Sequence, residues 1–206
     1  MNKQVIQAMY SQVTSKDAIR PLLVGVHFEK ERCYATNTRI LVVYNEGSEK
    51  HDGLTLNSQG EEIQGKFPDV DRVIPKKMPP KKVSIDLEQL YRACTWYLRS
   101  DLSTPEDEVL IENVALRIVE LNHLLSVFKQ GKALSSMQMY VGDPSRPAVF
   151  KNQMFTAIIM PCNINLEWVD TDPIPESRRT ISYANLINTF AFEGWKKNKP
   201  EQLDWL

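Results

Sequence analysis

The side chains best equipped to hold a metal or to act as nucleophiles are spaced so that neither chemistry is supported. His27, His51 and His123 lie far apart with no i, i+4 pair, and Cys33, Cys94 and Cys162 form no CxxC. A metal site would need these histidines to join Cys33 or Cys162 across the fold, without the local ligand spacing such sites use. Asp69 and Asp71 could act as the carboxylates of a metal-dependent nuclease, but a solvated turn beside Pro68 explains them better. Glu106, Asp107 and Glu108 read as a loop and a strand entry. No phosphate-cradling GxxxxGK[ST] loop, GxSxG elbow or GxGxxG occurs, and glycine is scarce at 8 residues. The expectation is a protein without catalytic residues, metal or cofactor, whose chemistry is binding.

Charge narrows what it binds. Lys plus Arg number 25 and Asp plus Glu 26, a formal charge of −1, which argues against coating nucleic acid by bulk charge. Local contact remains open: Lys3, Lys16, Arg92, Arg99, Lys129 and Lys132 lie on or beside predicted helices and could meet duplex phosphates without reading bases. A solvated helix face accounts for them equally well. Lys196, Lys197 and Lys199 form a second basic patch. The odd, dispersed cysteines fit a reducing compartment. The N-terminus MNKQVIQAMYSQ has no signal-peptide pattern, and no apolar run approaches ~18 residues, so the expected location is cytoplasmic, without membrane contact.

The elements that must position these residues follow from periodicity. Val5, Ile6, Met9, Tyr10 and Val13 make a helical stripe over Lys3–Thr14. Leu22–Phe28, Arg32–Thr36 and Arg39–Tyr44 read as strands, the last two joined at Asn37-Thr38. Residues 45–82, punctuated by four glycines and then Pro68, Pro75, Pro79 and Pro80, read as a connector with little regular structure. A helix is expected over Asp86–Arg99 with Asp86 as N-cap, then a strand over Glu108–Val119. A short helix over Asn122–Lys129 would be stopped by Gly131. Strands Met137–Val141 and Ala148–Met160 flank the turn 142–145. Helix-then-strands thus occurs twice, a weak internal repeat. Residues 164–206 read as a C-terminal extension: a linker around Pro173, Pro175, Ser177, Arg178 and Arg179, then a helix over Ile181–Phe192 with Ser182 near its start and Gly194 near its end.

Three separated phrases together resemble the bacterial DNA polymerase sliding clamp, the beta subunit of the replicase. The first is Arg20-Pro21-Leu22-Leu23-Val24-Gly25-Val26-His27-Phe28-Glu29 followed by Ala35-Thr36-Asn37-Thr38-Arg39-Ile40-Leu41-Val42-Val43. The second is Gly65-Lys66-Phe67-Pro68-Asp69-Val70-Asp71-Arg72-Val73-Ile74-Pro75, and the third Ile158-Ile159-Met160-Pro161. The match covers roughly residues 1–163. Asn37 stands where the clamp phrase has Asp, and Thr38-Arg39 where it has Gly-His. The chain is also far shorter than a three-domain clamp protomer, so encircling DNA would require several copies.

The resemblance implies an α+β, clamp-like fold with a clamp-like domain over 1–163, built of two uneven halves joined near 45–82. It also implies a non-catalytic role in replication or repair through protein contacts and nonspecific duplex DNA contact. It further implies a peptide-binding cleft made of Thr36, Thr38, Arg39, Ile40, Leu41, Pro68, Arg72, Val73, Ile158, Met160 and Pro161: an apolar floor with a polar rim. Taken singly, each Ile, Val or Met could equally be strand core.

The final residues Gln202, Leu203, Asp204, Trp205 and Leu206 resemble the short peptide by which many proteins bind bacterial sliding clamps. Their glutamine offers donor and acceptor, and each large apolar residue contributes about 1.5–3 kcal/mol if fully buried. Trp205 and Leu206 could instead dock on the chain's own core. The implied partners are replication or repair proteins, including a bacterial sliding clamp or other copies of this chain. The alternative function is an adaptor that binds a clamp through this peptide without encircling DNA.

Overall fold

The run Ile40-Leu41-Val42-Val43-Tyr44 is buried at every residue, which a strand achieves only when both faces of its sheet are covered. The computed structural model, which describes residues 1–17, 19–101, 103–163, 169–170 and 179–197 (backbone only from 192), shows both covers. The central layer is an eight-stranded antiparallel sheet in the order β4-β1-β2-β3-β10-β9-β8-β5. Its strands are β1 (Val26–Phe28), β2 (Cys33–Thr36), β3 (Ile40–Tyr44), β4 (Thr55–Leu56), β5 (Lys81–Val83), β8 (Gln138–Val141), β9 (Ala148–Lys151) and β10 (Phe155–Ile159). A smaller sheet, β11-β6-β7, is built from β6 (Glu108–Ile111), β7 (Val114–Arg117) and β11 (Thr180–Ser182), with β11 parallel to β6. Among the described residues four α-helices complete the fold: α1 (Lys3–Ala8), α2 (Leu87–Tyr97), α3 (Ile118–Gln130) and α4 (Tyr183–Lys197).

The internal repeat is real in topology, but its second copy is led by α3. The units α1-β1-β2-β3 and α3-β8-β9-β10 meet at β3–β10, paired from Tyr44↔Phe155 to Ile40↔Ile159. β4 and β5 extend the two outer edges on β1 and β8. The connector of residues 45–82 therefore supplies an edge strand and begins the next, which its glycines and prolines concealed.

Period-two alternation divides the apolar residues between two cores. Cys33, Ala35, Ile40, Val42, Tyr44, Ala148, Phe150, Phe155, Ala157 and Ile159 point to the helix side, where Leu121, Leu124, Leu125 and Phe128 of α3 and Val5 and Met9 near α1 meet them. Tyr34, Leu41, Val43, Val149 and Ile158 point the other way, under Leu23, Phe67 and Val70. The stacked pair Tyr44–Phe155, with ring centroids 5.0 Å apart, ties the two repeat units together at the sheet centre.

Several expected boundaries move, each for a local reason. The first helix is α-helical only to Ala8; Met9–Val13 is a π-helical turn, and Thr14 Oγ1 donates to the Tyr10 carbonyl. The Leu22–Phe28 strand is shortened because Pro21–Val24 forms a 3-10 turn. The single strand expected over Glu108–Val119 is the hairpin β6–β7 plus the first residues of α3, turned at Glu112 with φ 57°. The strand expected over Ala148–Met160 is the hairpin β9–β10, turned where the Asn152 side chain accepts from the Met154 and Phe155 amides. Asp86 caps α2 as expected, its carboxylate accepting from the Glu88 and Gln89 amides at 2.9 and 3.0 Å.

Gly131 does end α3, yet it keeps φ −79° while Lys132 takes the left-handed conformation at φ 53°. Glycine is required there by packing: a Cβ would lie 2.7 Å from the Phe155 ring. The helix expected over Ile181–Phe192 spans Tyr183–Lys197, continuing through Gly194, with β11 before it and Ser182 Oγ accepting from the Asn185 amide. Of the expected linker, Arg179 is described; Pro173, Pro175, Ser177 and Arg178 lie outside the described residues.

Candidate functional site

The three phrases separated in sequence converge on the side of the sheet away from the helices. Leu41 of the first and Ile158 of the third are register partners on β3 and β10. Phe67 and Val70 of the second lie over them. Beyond the strand ends the Met160 amide donates to the Arg39 carbonyl at 2.8 Å, extending the same ladder.

The connector is fastened to this face by a polar node. Arg32, at the β1–β2 turn, donates two parallel hydrogen bonds to Asp71 at 2.8 and 2.9 Å and two more to Glu29. The Tyr34 hydroxyl donates to Glu29 at 3.0 Å, and the guanidinium lies 5.5 Å from the Tyr34 ring centre. Bonding to Arg32 holds both the Glu29 and Asp71 carboxyls below the ordinary carboxylate range. Beneath it, His27 packs between Tyr34 and Phe67 at centroid distances of 5.0 and 5.3 Å, its Nδ1 sharing a proton with Thr55 Oγ1 at 2.9 Å.

Burial pushes the His27 pKa below its ordinary value of 6.5, against weaker opposing pulls from Glu29 and Asp52. The unfolded chain therefore binds more protons than the folded one between the lowered value and 6.5. Stability from this group is complete above pH 6.5 and declines as pH falls from there toward the lowered folded value. His123, also lowered by burial and by Lys16, acts in the same direction. Chemical denaturation at pH 7.5 and pH 5.5 should show lower stability at pH 5.5, with the difference reduced in His27→Gln. An undiminished difference in that variant would remove His27 as a contributor.

The eleven residues of the expected cleft fall into distinct environments. Leu41 and Ile158 are buried beneath the connector, and Ile40 points into the helix-side core. Thr36 and Thr38 shape the β2–β3 turn: Thr36 Oγ1 donates to the Ile40 carbonyl and accepts from the Thr38 amide. Thr38 holds φ 79°, a conformation glycine adopts without cost, at the position where the clamp phrase carries Gly. Arg39 reaches Glu120 of α3 at 3.7 Å. Pro68 is exposed beside Phe67, and Pro161 is half-buried where the chain leaves β10.

Arg72, Val73 and Met160 come together on an open groove of about 860 Å³, walled by residues 71–80 and 142–147. Val73 and Met160 are 54% and 43% exposed, unusual for large apolar side chains, and Ile74, Met78 and Pro147 extend the apolar lining. Lys76, Lys77 and Arg146 give the rim a positive character. The groove can accept an extended segment with large apolar side chains.

The opposite face is the helix layer. Lys3 lines a groove of about 670 Å³ bounded by Gln4, Gln7 and Ser11 of the first helix and by Ser126 and Gln130 of α3. Arg92, Arg99 and Lys129 gather around a second groove of about 830 Å³, and Tyr91 borders both. Lys16 and Lys132 line neither. Gln202, Leu203, Asp204, Trp205 and Leu206 lie outside the described residues. Sequence reasoning missed Arg32 and His27 as organisers of the outer face and the aromatic residues beside Arg92. Arg32 meets Asp71 across 39 residues, which leaves no local signal. Among the described residues no cluster of histidine, cysteine and carboxylate side chains could hold a metal ion, and no helix is long and apolar enough to cross a membrane.

No protein-family model matches the sequence, and no curated protein is detectably similar to it. Solved structures are similar in fold. The DNA polymerase III beta sliding clamp of Bartonella birtlesii, crystallised with griselimycin, aligns with TM-score 0.60 at 14% identity over 79% of this chain and 63% of that one. The beta subunit from Streptococcus pyogenes aligns with TM-score 0.60 at 15% identity over 78% and 63%. The beta clamp of C. crescentus aligns with TM-score 0.58 at 15% identity over 79% and 64%. The match thus spans less than two thirds of the length of these clamps. With its repeated helix-and-strand units, continuous antiparallel sheet and helices gathered on one face, the chain has, in a sequence-divergent form, the fold of the bacterial DNA polymerase III beta sliding clamp over the aligned part.

Proposed function

We propose that this chain is a non-catalytic, clamp-like processivity protein of DNA replication or repair that binds partner proteins on its outer groove and duplex DNA on its helix face. The observation that carries the reading is the division of labour across one sheet. An exposed apolar groove occupies one side, and a helix layer bearing glutamine, serine, lysine and arginine occupies the other. Such a layer suits sequence-independent contact, since phosphates are met by cations and amides and carry no base sequence. The match covers 63% of a clamp chain, so on this reading more than one copy would form the ring.

Solution mass at micromolar concentration and retention on DNA test this together. The expected result is a defined oligomer that stays on a nicked circular duplex at a salt concentration that strips ordinary phosphate contacts, and that is lost when the circle is linearised. A monomer retained equally by circular and linear DNA would overturn encirclement. If that monomer bound a purified bacterial sliding clamp, and Trp205→Ala abolished the binding, the chain would be an adaptor instead.

A further inference from the structure

The groove between α2 and α4 differs in chemistry from the rest of the helix layer. Tyr91 and Trp96 of α2 and Phe190 of α4 line it, all half-buried, so the core holds each ring while part of it stays accessible. The Trp96 and Phe190 centroids are 6.3 Å apart with ring planes inclined at 56°. Arg92, Arg99 and Lys129 surround them and are exposed. Lys129 Nζ lies 4.8 Å from the Tyr91 ring centre, Arg92 is paired with Glu88 at 2.9 Å, and Arg99 makes no ion pair among the described residues.

A duplex keeps its base faces stacked inside and would offer the aromatic rings nothing. A single strand presents base faces and phosphates together, and base–aromatic stacking is sequence-tolerant because every base has a π-face. Glu88 and Asp101 stand beside the three cations, so charge alone gives little net attraction and the rings must supply most of the affinity. That favours a base-bearing polyanion over an acidic peptide.

We propose that the α2–α4 groove binds single-stranded nucleic acid, with Trp96, Tyr91 and Phe190 stacking on bases and Arg92, Arg99 and Lys129 meeting phosphates. The inference goes beyond the duplex-encircling reading, and the two fail separately: a protein that slips from circular DNA can still bind a short single strand.

Fluorescence anisotropy of labelled oligo(dT), titrated with the full chain over a range of salt, tests it. A duplex of equal length and an oligoglutamate peptide serve as competitors. Trp96→Leu is expected to weaken oligo(dT) binding roughly ten-fold or more, with Trp96→Phe retaining most of the affinity. The double variant Arg99→Ala/Lys129→Ala, whose positions are on the surface and leave the core intact, should lower the slope of log affinity against log salt by about 1.4. Affinity and slope unchanged in that double variant would overturn the proposal. So would displacement of oligo(dT) by oligoglutamate at equal charge, which would make the groove a general anion or peptide site.

Discussion

Gly47→Ala is expected to lower the stability of the chain by about 3 kcal/mol, near the upper end of what over-packing costs. An added Cβ would lie 2.0 Å from the Glu29 carbonyl oxygen and 2.5 Å from the Arg32 amide nitrogen. These are backbone atoms of a bonded turn, since the Glu29 amide donates to the Arg32 carbonyl and the Ser48 amide donates to the Glu29 carbonyl. No side-chain rotation relieves such a contact; the turn itself must move. The turn carries Arg32, so its displacement would also loosen the bonds to Asp71 that fasten the connector over the outer face.

For a chain of this size the loss corresponds to a fall of about 6–12 °C in Tm. Arg32→Ala separates the two effects. It removes partly exposed ion pairs worth roughly 0–1 kcal/mol and leaves the turn in place. It should therefore leave Tm nearly unchanged while weakening whatever binds the 71–80 groove. A Gly47→Ala protein melting within a degree of the parent would refute the close approach.

The residues that carry the fold explain which parts of it were legible in the sequence. α2 was readable because Asp86 and the stripe Leu87, Leu90 and Cys94 are local signals of where a helix starts and which face it buries. β3 was readable because five consecutive apolar residues suit a strand covered on both faces. The β6–β7 and β9–β10 hairpins were not. Their turns rest on Glu112 and Asn152, without glycine or proline at the apex, so apolar runs on either side merged into one apparent strand.

The phrases around Leu41, Phe67 and Ile158 were linked through their joint resemblance to the sliding-clamp family, since the second, rich in charge and proline, carries no apolar periodicity of its own. Which member is covered and which stays open depends on the alternation of the strands and the path of the connector. Leu41 and Ile158 end up beneath Phe67 and Val70, while Val73 and Met160, at the margin, are exposed. The aromatic groove had no sequence signal, since Trp96 and Phe190 are brought together only when α4 packs on α2.

The attachment of α4 rests in part on a buried carboxylate beside Glu108, and Asp107→Ala is expected to cost on the order of 3–5 kcal/mol. Asp107 is 0% exposed and accepts four hydrogen bonds: from the Tyr97 hydroxyl at 2.8 Å, the Thr104 amide at 2.6 Å, the Thr104 hydroxyl at 2.9 Å and the Arg179 amide at 3.0 Å. Burying a carboxylate is costly, and it is tolerated here because four donors replace its water. Truncation removes the acceptor and leaves those donors facing a cavity, each stranded one costing about 1–3 kcal/mol unless water reaches it.

The Arg179 bond joins α2, the entry to β6 and the start of β11 at one point, so part of the loss should be local. Hydrogen exchange in Asp107→Ala should accelerate across residues 180–191 more than across β3 and β10. Because Phe190 forms one wall of the α2–α4 groove, oligo(dT) affinity should fall in the same variant. Asp107→Asn, which keeps one acceptor but turns an NH2 toward the donors, should lie between the variant and the parent in all three readouts. Uniform acceleration of exchange, with β3 and β10 as affected as 180–191, would show that Asp107 supports the whole fold and does not tether α4 in particular.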